Sequence, residues 1–318
     1  MHRSSAAPAT FNNISTALSS PPTPGFILKG KVIYPRQPDF DASSMLLLTC
    51  QMLYDYSLNP WYVSALNSEQ SDSNICIAIT NIFHPTERSI LFQNRHAMWA
   101  LWLAAMQQAT QDDSRAGVFG LQVMTGLQWT DVAIMTYSRY PEPHNSVAAA
   151  DDRTADLASR SIDPRSSINT VLPPHNSSTN GSAVSFTANS SVGTSPYRVV
   201  IGQAGPGNLE LVKVFSTISE VMIQRASIPR RGPLTDPWTY YCQATGYKIS
   251  LRRPRGRSES PPYEVVMGGL ANLLKAMIEA RRDTETAFDV LSETGEVVLH
   301  GALIDGRADE ARSELTSA

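Results

Sequence analysis

One pattern of elements occurs twice in this 318-residue chain, and the repetition constrains its fold more than its composition does. Each half contains an apolar helix pattern followed by a hairpin pattern, which turns at Thr125-Gly126 in the first half and at Thr294-Gly295 in the second. A shift of 171 residues places Ala100, Leu103, Ala105, Met106 and Ala109 on Ala271, Leu274, Ala276, Met277 and Ala280. We therefore interpret the chain as an internal duplication; two unrelated α+β units with similar patterns are the alternative.

Each half is predicted to fold as β-α-β-β-α-β followed by one extra strand. This element order indicates an α+β fold with two tandem copies of a ferredoxin-like unit, in which two helices cover one face of an antiparallel sheet. The extra strand is expected at a sheet edge, where pairing with the other unit would protect it.

Individual elements follow from local patterns. Asp41 or Ser43 is expected to cap the first helix, and Asn208 is expected to cap the first helix of the second half. The strand at 74–83 is predicted to form a hairpin with residues 89–95. In the second half, 245–253 is predicted to form a hairpin with 263–267.

The order of the chain suggests five segments. Two of them are the α+β units, at 26–140 and 197–306. The segment 141–196 is rich in Ser, Thr and Asn, which predicts a flexible linker because it offers little apolar surface to bury. Residues 1–25 are predicted to form a disordered arm and residues 307–318 a frayed tail.

Composition excludes several classes of protein. The net charge is −3, which excludes a strongly basic nucleic-acid binder. The longest strongly apolar stretch, at 97–106, is about half of the ~20 residues that a membrane-spanning helix needs. Three cysteines are too few for a disulfide-dense scaffold. Cys50 and Cys76 are candidates for a disulfide, and three free thiols including Cys242 are the alternative.

No motif in the sequence identifies a reaction. The segment GQAGPGN at 202–208 lies between a predicted strand and a predicted helix, where glycines can hold phosphate. Its spacing matches neither a dinucleotide fingerprint nor a P-loop, so a tight turn is the preferred interpretation. The six histidines form no metal-ligand spacing, and His300 is expected at the surface. We therefore predict no catalytic residue, metal ligand or cofactor.

Two groups of residues are candidates for other roles. An arginine cluster, in a region of ten Lys/Arg against three Asp/Glu at 198–257, suggests an anionic partner because guanidinium groups bind phosphate and carboxylate. Its members are Arg230, Arg231, Arg252, Arg253, Arg255 and Arg257. N-x-S/T triplets predict glycosylation sites at Asn13, Asn176, Asn180 and Asn189.

The block at 261–305 contains a helix of the form GLxxLLxAM, followed by a hairpin with a glycine turn. It resembles a pattern in uncharacterised, typically secreted proteins of filamentous ascomycete fungi, and 89–109 looks like a diverged copy of its first part. The resemblance implies secretion and no assigned activity. The first 25 residues contain no apolar core of a signal peptide, so an extracellular location is favoured only by the resemblance and the triplets.

Three functions are compatible with these patterns. A non-enzymatic binding or interaction protein is preferred, since the duplicated residues determine the fold and carry no chemical motif. An enzyme or small-ligand carrier with a site between the two units is the second, and a structural surface component is the third. A filled interface between the units would argue against the second.

Overall fold

A computed structural model describes most of both predicted units. The described residues are 25–29, 32–33, 40–72, 75–82, 92–110, 116–125, 127–139, 196–228 and 237–307. The predicted arm, linker and terminal tail lie outside this part of the chain, apart from a few residues at their borders.

The first unit forms one antiparallel sheet and two helices. Its elements are β1 (Phe26–Leu28), β2 (Val32–Ile33), α1 (Ala42–Ser57), β3 (Ser68–Ser71), β4 (Ile75–Asn81), α2 (Asn94–Thr110), β5 (Gly117–Thr125) and β6 (Gln128–Arg139). The strand order is β1-β5-β6-β4-β3, and β2 also pairs with β5. As predicted, Asp41 caps α1: its carboxylate accepts a hydrogen bond from the Ser44 N–H at 2.7 Å.

The second unit repeats this arrangement. Its elements are β7 (Arg198–Asn208), α3 (Leu211–Ser227), β8 (Trp238–Tyr241), β9 (Tyr247–Arg252), α4 (Tyr263–Glu279), β10 (Thr284–Leu291) and β11 (Val297–Asp305). The strand order is β7-β10-β11-β9-β8, again with antiparallel pairs. Gly295 adopts a φ of 84° in the β10–β11 turn, a conformation that favours glycine, so the prediction of this hairpin turn is confirmed.

Both sheets therefore use the same strand order, and the α+β prediction is confirmed. The extra strand of each unit was expected at an edge, but β6 and β11 each lie at the centre of their sheet. β6 lies between β5 and β4, and β11 lies between β10 and β9. Each of these strands pairs with its hairpin partner on one side and with a strand distant in the sequence on the other. The sheet of each unit is therefore continuous only when its last strand has been added.

Two predicted hairpins are wrong. The neighbours of β4 are β3 and β6, whereas the expected partner at 89–95 lies partly outside the described residues and continues into α2. Residues 263–267 form the start of α4 instead of a strand. Their valines favour strands locally, but Pro262 ends the preceding loop and Val266 and Met267 are buried in the helical layer.

The four described helices lie between the two sheets. α1 packs against α2 of its own unit and against α3 and α4 of the other, and α2 also packs against α3. The buried residues of both units form a single hydrophobic cluster, and the Tyr263 hydroxyl donates a hydrogen bond to the Ser57 carbonyl across the units at 3.1 Å. Each helix layer is therefore covered on both sides, by its own sheet and by the helices of the other unit.

The segment GQAGPGN belongs to β7 and is not a turn, so the expected Asn208 cap is also wrong. α3 begins later, with Glu210 at its N-cap and no side-chain cap. The glycines serve a different purpose: a Cβ on Gly205 would overlap the Glu285 carboxylate, and a Cβ on Gly207 would lie 2.9 Å from it. Glu285 is buried against this strand, and its Oε1 accepts a hydrogen bond from the Asp305 N–H at 3.2 Å.

The three cysteines do not form the disulfide that was considered. Cys50 is buried in α1, Cys76 lies half-buried in β4, Cys242 is buried after β8, and none of the three is disulfide-bonded. The Cys76 thiol lies 3.5 Å from a carboxylate oxygen of Glu69 on the neighbouring strand. Burial raises the pKa of the Cys50 thiol to about 12, so this side chain behaves as a small apolar group in the core.

Candidate functional site

The predicted arginine cluster is only partly described. Arg230 and Arg231 lie outside the described residues, and Arg252, Arg253, Arg255 and Arg257 lie at the end of β9 and in the loop that follows. Two of these four interact within the chain: Arg257 forms an ion pair with Glu296 at 2.8 Å, and Arg253 donates a hydrogen bond to the Ser258 carbonyl at 2.5 Å. Arg252 and Arg255 are exposed, and an anionic partner for this loop stays a prediction. All four predicted glycosylation sites, Asn13, Asn176, Asn180 and Asn189, lie outside the described residues.

The described histidines occupy two kinds of site. His300 lies on the outer face of the second sheet, as expected, where its Nδ1 is 2.6 Å from Asp289 on the adjacent strand. His96 is buried, stacked on Phe26, and its Nδ1 accepts a hydrogen bond from the Gln93 N–H at 3.2 Å. Burial and the nearby Arg95 lower the pKa of His96 to about 4, so this ring is neutral and part of the core.

A polar stripe on α3 forms the centre of the most developed side-chain network in the described chain. Thr217, Glu220 and Gln224 recur at i, i+3 and i+7, which places them on one face of the helix. That face lies against the β8–β9 hairpin. Thr217 shares a hydrogen bond with Thr245 at 2.7 Å, between the two hydroxyl oxygens.

Tyr240 connects this stripe to the edge strand β8. Its hydroxyl donates a hydrogen bond to Glu220 Oε2 at 2.9 Å and accepts one from Gln224 Nε2 at 3.1 Å. Glu220 is only 4% exposed, and its second oxygen, Oε1, is completely buried without a hydrogen-bond partner. Burial and the Glu220 carboxylate raise the pKa of Tyr240, so its hydroxyl stays protonated and remains a donor.

Cys242 belongs to the same network. The thiol is buried, and burial raises its pKa, while contact with Thr245 opposes the shift and the Glu220 carboxylate adds to it. A thiol held in its neutral form beside a carboxylate is a poor nucleophile, because the thiolate is the reactive species. The network therefore supplies hydrogen-bonding groups and not an activated cysteine.

Arg225 extends the network towards the start of β8. Its guanidinium lies over the Trp238 ring, 6.0 Å from the ring centre, and the Trp238 ring stacks on that of Tyr240 with 6.2 Å between the centroids. Trp238 and Tyr240 are two residues apart on one strand, so both face α3. We refer to Glu220, Gln224, Arg225, Trp238 and Tyr240 as the α3–β8 cluster.

The α3–β8 cluster was missed at the level of the sequence. The apolar stripe of α3 predicts Thr217, Glu220 and Gln224 on a solvated face, but the β8–β9 hairpin buries Thr217 and Glu220 and leaves only Gln224 exposed. Arg225 did leave a signal: it follows Ile218 and Met222 at i+7 and i+3, so a charge continues the apolar stripe. The aromatic run Trp238–Tyr241 is a second signal, since aromatic residues on an edge strand present both an apolar ring and a polar group.

Comparisons with known proteins do not place the chain in a family. No protein-family model matches it, and no curated protein matches it. Within the described part of the chain, no helix is both long and apolar enough to cross a bilayer.

Asp55, in the last turn of α1, leads to a prediction about pH. Gln70 and Gln51 donate hydrogen bonds to its carboxylate, but burial outweighs them and raises its pKa to about 6. The helix C-terminus also disfavours a negative charge there. Because the folded pKa exceeds the unfolded value of about 3.9, the folded state binds the proton more tightly, and stability falls as pH rises from about 4 to about 6.

Replacing Asp55 with Asn is therefore expected to raise the free energy of unfolding at pH 7 by about 1–2 kcal/mol and to flatten its decrease between pH 4 and 6. Urea denaturation of the full chain at a series of pH values measures both. Glu69→Gln, which changes an exposed carboxylate to an amide on nearby β3, is the matched control. An unchanged pH dependence in Asp55→Asn would show that the carboxylate titrates normally.

Proposed function

We propose that the protein is a non-enzymatic binding protein, that it arose by tandem duplication of one α+β unit whose ferredoxin-like element order is followed by one extra strand, and that it contacts its ligand at the α3–β8 cluster. The resemblance of 261–305 to uncharacterised, typically secreted fungal proteins supports a place in that group and an extracellular role. The shared element order and shared strand order of the two units support the duplication.

One observation supports binding at the α3–β8 cluster above all others. Two side chains that are more than nine-tenths buried, Glu220 and Arg225, each present a buried polar atom that lacks a partner, Oε1 and Nε respectively, although the Cys242 thiol also interacts with the Glu220 carboxylate. Buried polar atoms are nearly always satisfied, so these two, on neighbouring turns of α3 beside Tyr240 and Trp238, support a bound ligand.

The same geometry favours binding over catalysis. A catalytic acid or nucleophile needs a pKa near the working pH, whereas the Tyr240 hydroxyl and the Cys242 thiol are both held in their neutral forms. The alternative site between the units is disfavoured because the helices there bury large apolar side chains, among them Trp102, Phe215 and Leu274.

The test is a ligand screen on the full chain. The panel consists of small polar compounds: organic acids, amino acids, nucleotides and sugars. We expect at least one of them to raise the midpoint of thermal unfolding saturably and to be recovered chemically unchanged. Tyr240→Phe is expected to weaken that binding about tenfold, because the Glu220 and Gln224 side chains lose their shared partner.

Tyr241→Phe is the matched control, since Tyr241 is the next residue of β8, points to the opposite face and is 41% exposed. The affinity of Tyr241→Phe for the compound should equal that of the unmodified chain. Conversion of a compound into a product would contradict the proposal, and so would a complete absence of binding or equal binding by both variants.

A further inference from the structure

We propose that Arg225 binds an oxyanion, the carboxylate or phosphate group of the ligand, at the end of α3 beside Trp238. The inference rests on the proposed function and assigns the chemical class of the ligand. It involves other residues than the exposed arginine loop at 252–257, which begins one residue after Leu251, the strand partner of Trp238.

The first argument is a buried guanidinium nitrogen without a partner. Arg225 is 6% exposed, and its Nε is completely buried with no hydrogen-bond partner. Buried charged groups are almost always paired or hydrogen-bonded, because an unpaired charge is poorly solvated inside a protein. The Arg225 Nε–H therefore lacks an acceptor among the described residues, and an acceptor that carries a negative charge suits it best.

The second argument is how the guanidinium is held. Its Cζ lies over the Trp238 ring, 6.0 Å from the ring centre, and the Trp238 ring is itself stacked on Tyr240, which is hydrogen-bonded to Glu220. A cation–π contact of this kind uses no N–H donor of the guanidinium, so the donors stay available to acceptors. The planar set of donors matches the two oxygens of a carboxylate or phosphate.

The third argument concerns the surroundings of the charge. Burial lowers the pKa of Arg225, and the neighbouring group that opposes this shift is Tyr263, whose hydroxyl is already committed to the Ser57 carbonyl. The nearest acid on α3, Glu220, is hydrogen-bonded to Tyr240 and forms no ion pair with Arg225. Arg225 is therefore the group of the α3–β8 cluster that attracts an anion, and the Trp238 ring lies beside it.

The experiment uses inorganic phosphate and acetate as probes on the full chain, at constant ionic strength maintained with sodium chloride. We expect each anion to raise the midpoint of thermal unfolding saturably, and Arg225→Gln to weaken the effect at least about tenfold. A larger effect of phosphate indicates a phosphate-bearing ligand, and a larger effect of acetate indicates a carboxylate. Arg255→Gln, an exposed arginine of the loop, is the matched control and should respond as the unmodified chain does.

A second measurement keeps the test valid if Arg225→Gln folds poorly. In the unmodified protein, the Arg225 Nε–Hε resonance should shift as phosphate or acetate is added, because Nε has no acceptor without the anion. No shift up to saturating anion, or loss of the effect in Arg255→Gln but not in Arg225→Gln, would overturn the inference. A response that appears only in Asp236→Asn would also overturn it, since that aspartate, outside the described residues, would then be the native partner.

The outcomes also separate this inference from the proposed function. If organic compounds bind and depend on Tyr240 but not on Arg225, the anion assignment alone fails. If phosphate binds at Arg225 while organic compounds are chemically converted, the assignment stands and the non-enzymatic function fails.

Discussion

Replacing Trp102 with alanine is expected to destabilise both units together, by about 3–5 kcal/mol, the usual cost of removing a large aromatic side chain from a core. Trp102 is 1% exposed on α2, which packs against α1 of its own unit and α3 of the other. The buried residues of both units form one cluster, so a cavity in α2 weakens the layer that covers the second sheet as well. We therefore expect a single unfolding transition that shifts as a whole.

Hydrogen exchange followed by mass spectrometry measures this directly. Protection should fall by the same free energy in β4 and β6 of the first unit and in β9 and β11 of the second. Trp129→Ala is the control, because Trp129 is 41% exposed on β6 and its removal leaves no cavity. If protection in β9 and β11 is unchanged by Trp102→Ala, the two units unfold independently and the shared helical layer contributes little to either.

The sequence predicted the helices and the hairpin turns more accurately than the pairing of strands within each sheet. Periodicity located all four described helices, and the Thr-Gly turns located the two terminal hairpins, because these signals depend on residues close together in the chain. The positions of β6 and β11 at the sheet centres could not be predicted, since the choice between an edge and a central position depends on long-range pairing. The same limit explains the wrong partner of β4. At 263–267 the element itself is wrong, because the local preference of valine for strands is outweighed by burial in the helical layer.

The sequence of α2 does contain a signal that the helix is covered on two sides. On α2 the predicted stripe includes Met98, Leu101 and Trp102, yet Trp99 and Ala100 on other faces are also buried. A helix that is apolar on more than one face is covered on more than one side. That observation alone predicts a second layer against the helices, and hence contact between the two units.

The α3–β8 cluster was harder to predict for a related reason. Polar residues at helical spacing normally mark the solvated face, and only the position of the β8–β9 hairpin shows that Thr217 and Glu220 are covered. Arg225 is the exception, because its position on the apolar stripe can be read directly from Ile218 and Met222. A charged residue on a predicted buried face is thus the signal that would have led to the site.

The glycine segment of β7 provides the second large expected effect. Replacing Gly205 with alanine should lower the free energy of unfolding by about 2–3 kcal/mol, because the new methyl group would overlap the buried Glu285 carboxylate and force an overpacked site to shift. Urea denaturation of the full chain measures the loss. Gly202→Ala is the matched control on the same strand, since its nearest neighbour, the Ala287 carbonyl oxygen, lies at 4.0 Å.

A double-mutant cycle tests whether the clash with Glu285 is the cause. Glu285→Ala removes the carboxylate and leaves the Asp305 N–H without its acceptor, so it destabilises the protein alone. In that background Gly205→Ala should cost at least about 1 kcal/mol less than in the unmodified chain, because the space is already vacant. Additive energies would show that backbone freedom at Gly205, and not room for Glu285, explains a glycine at this position. An equal loss of stability in Gly202→Ala would likewise indicate that backbone freedom, and not room for Glu285, explains the glycines of this segment.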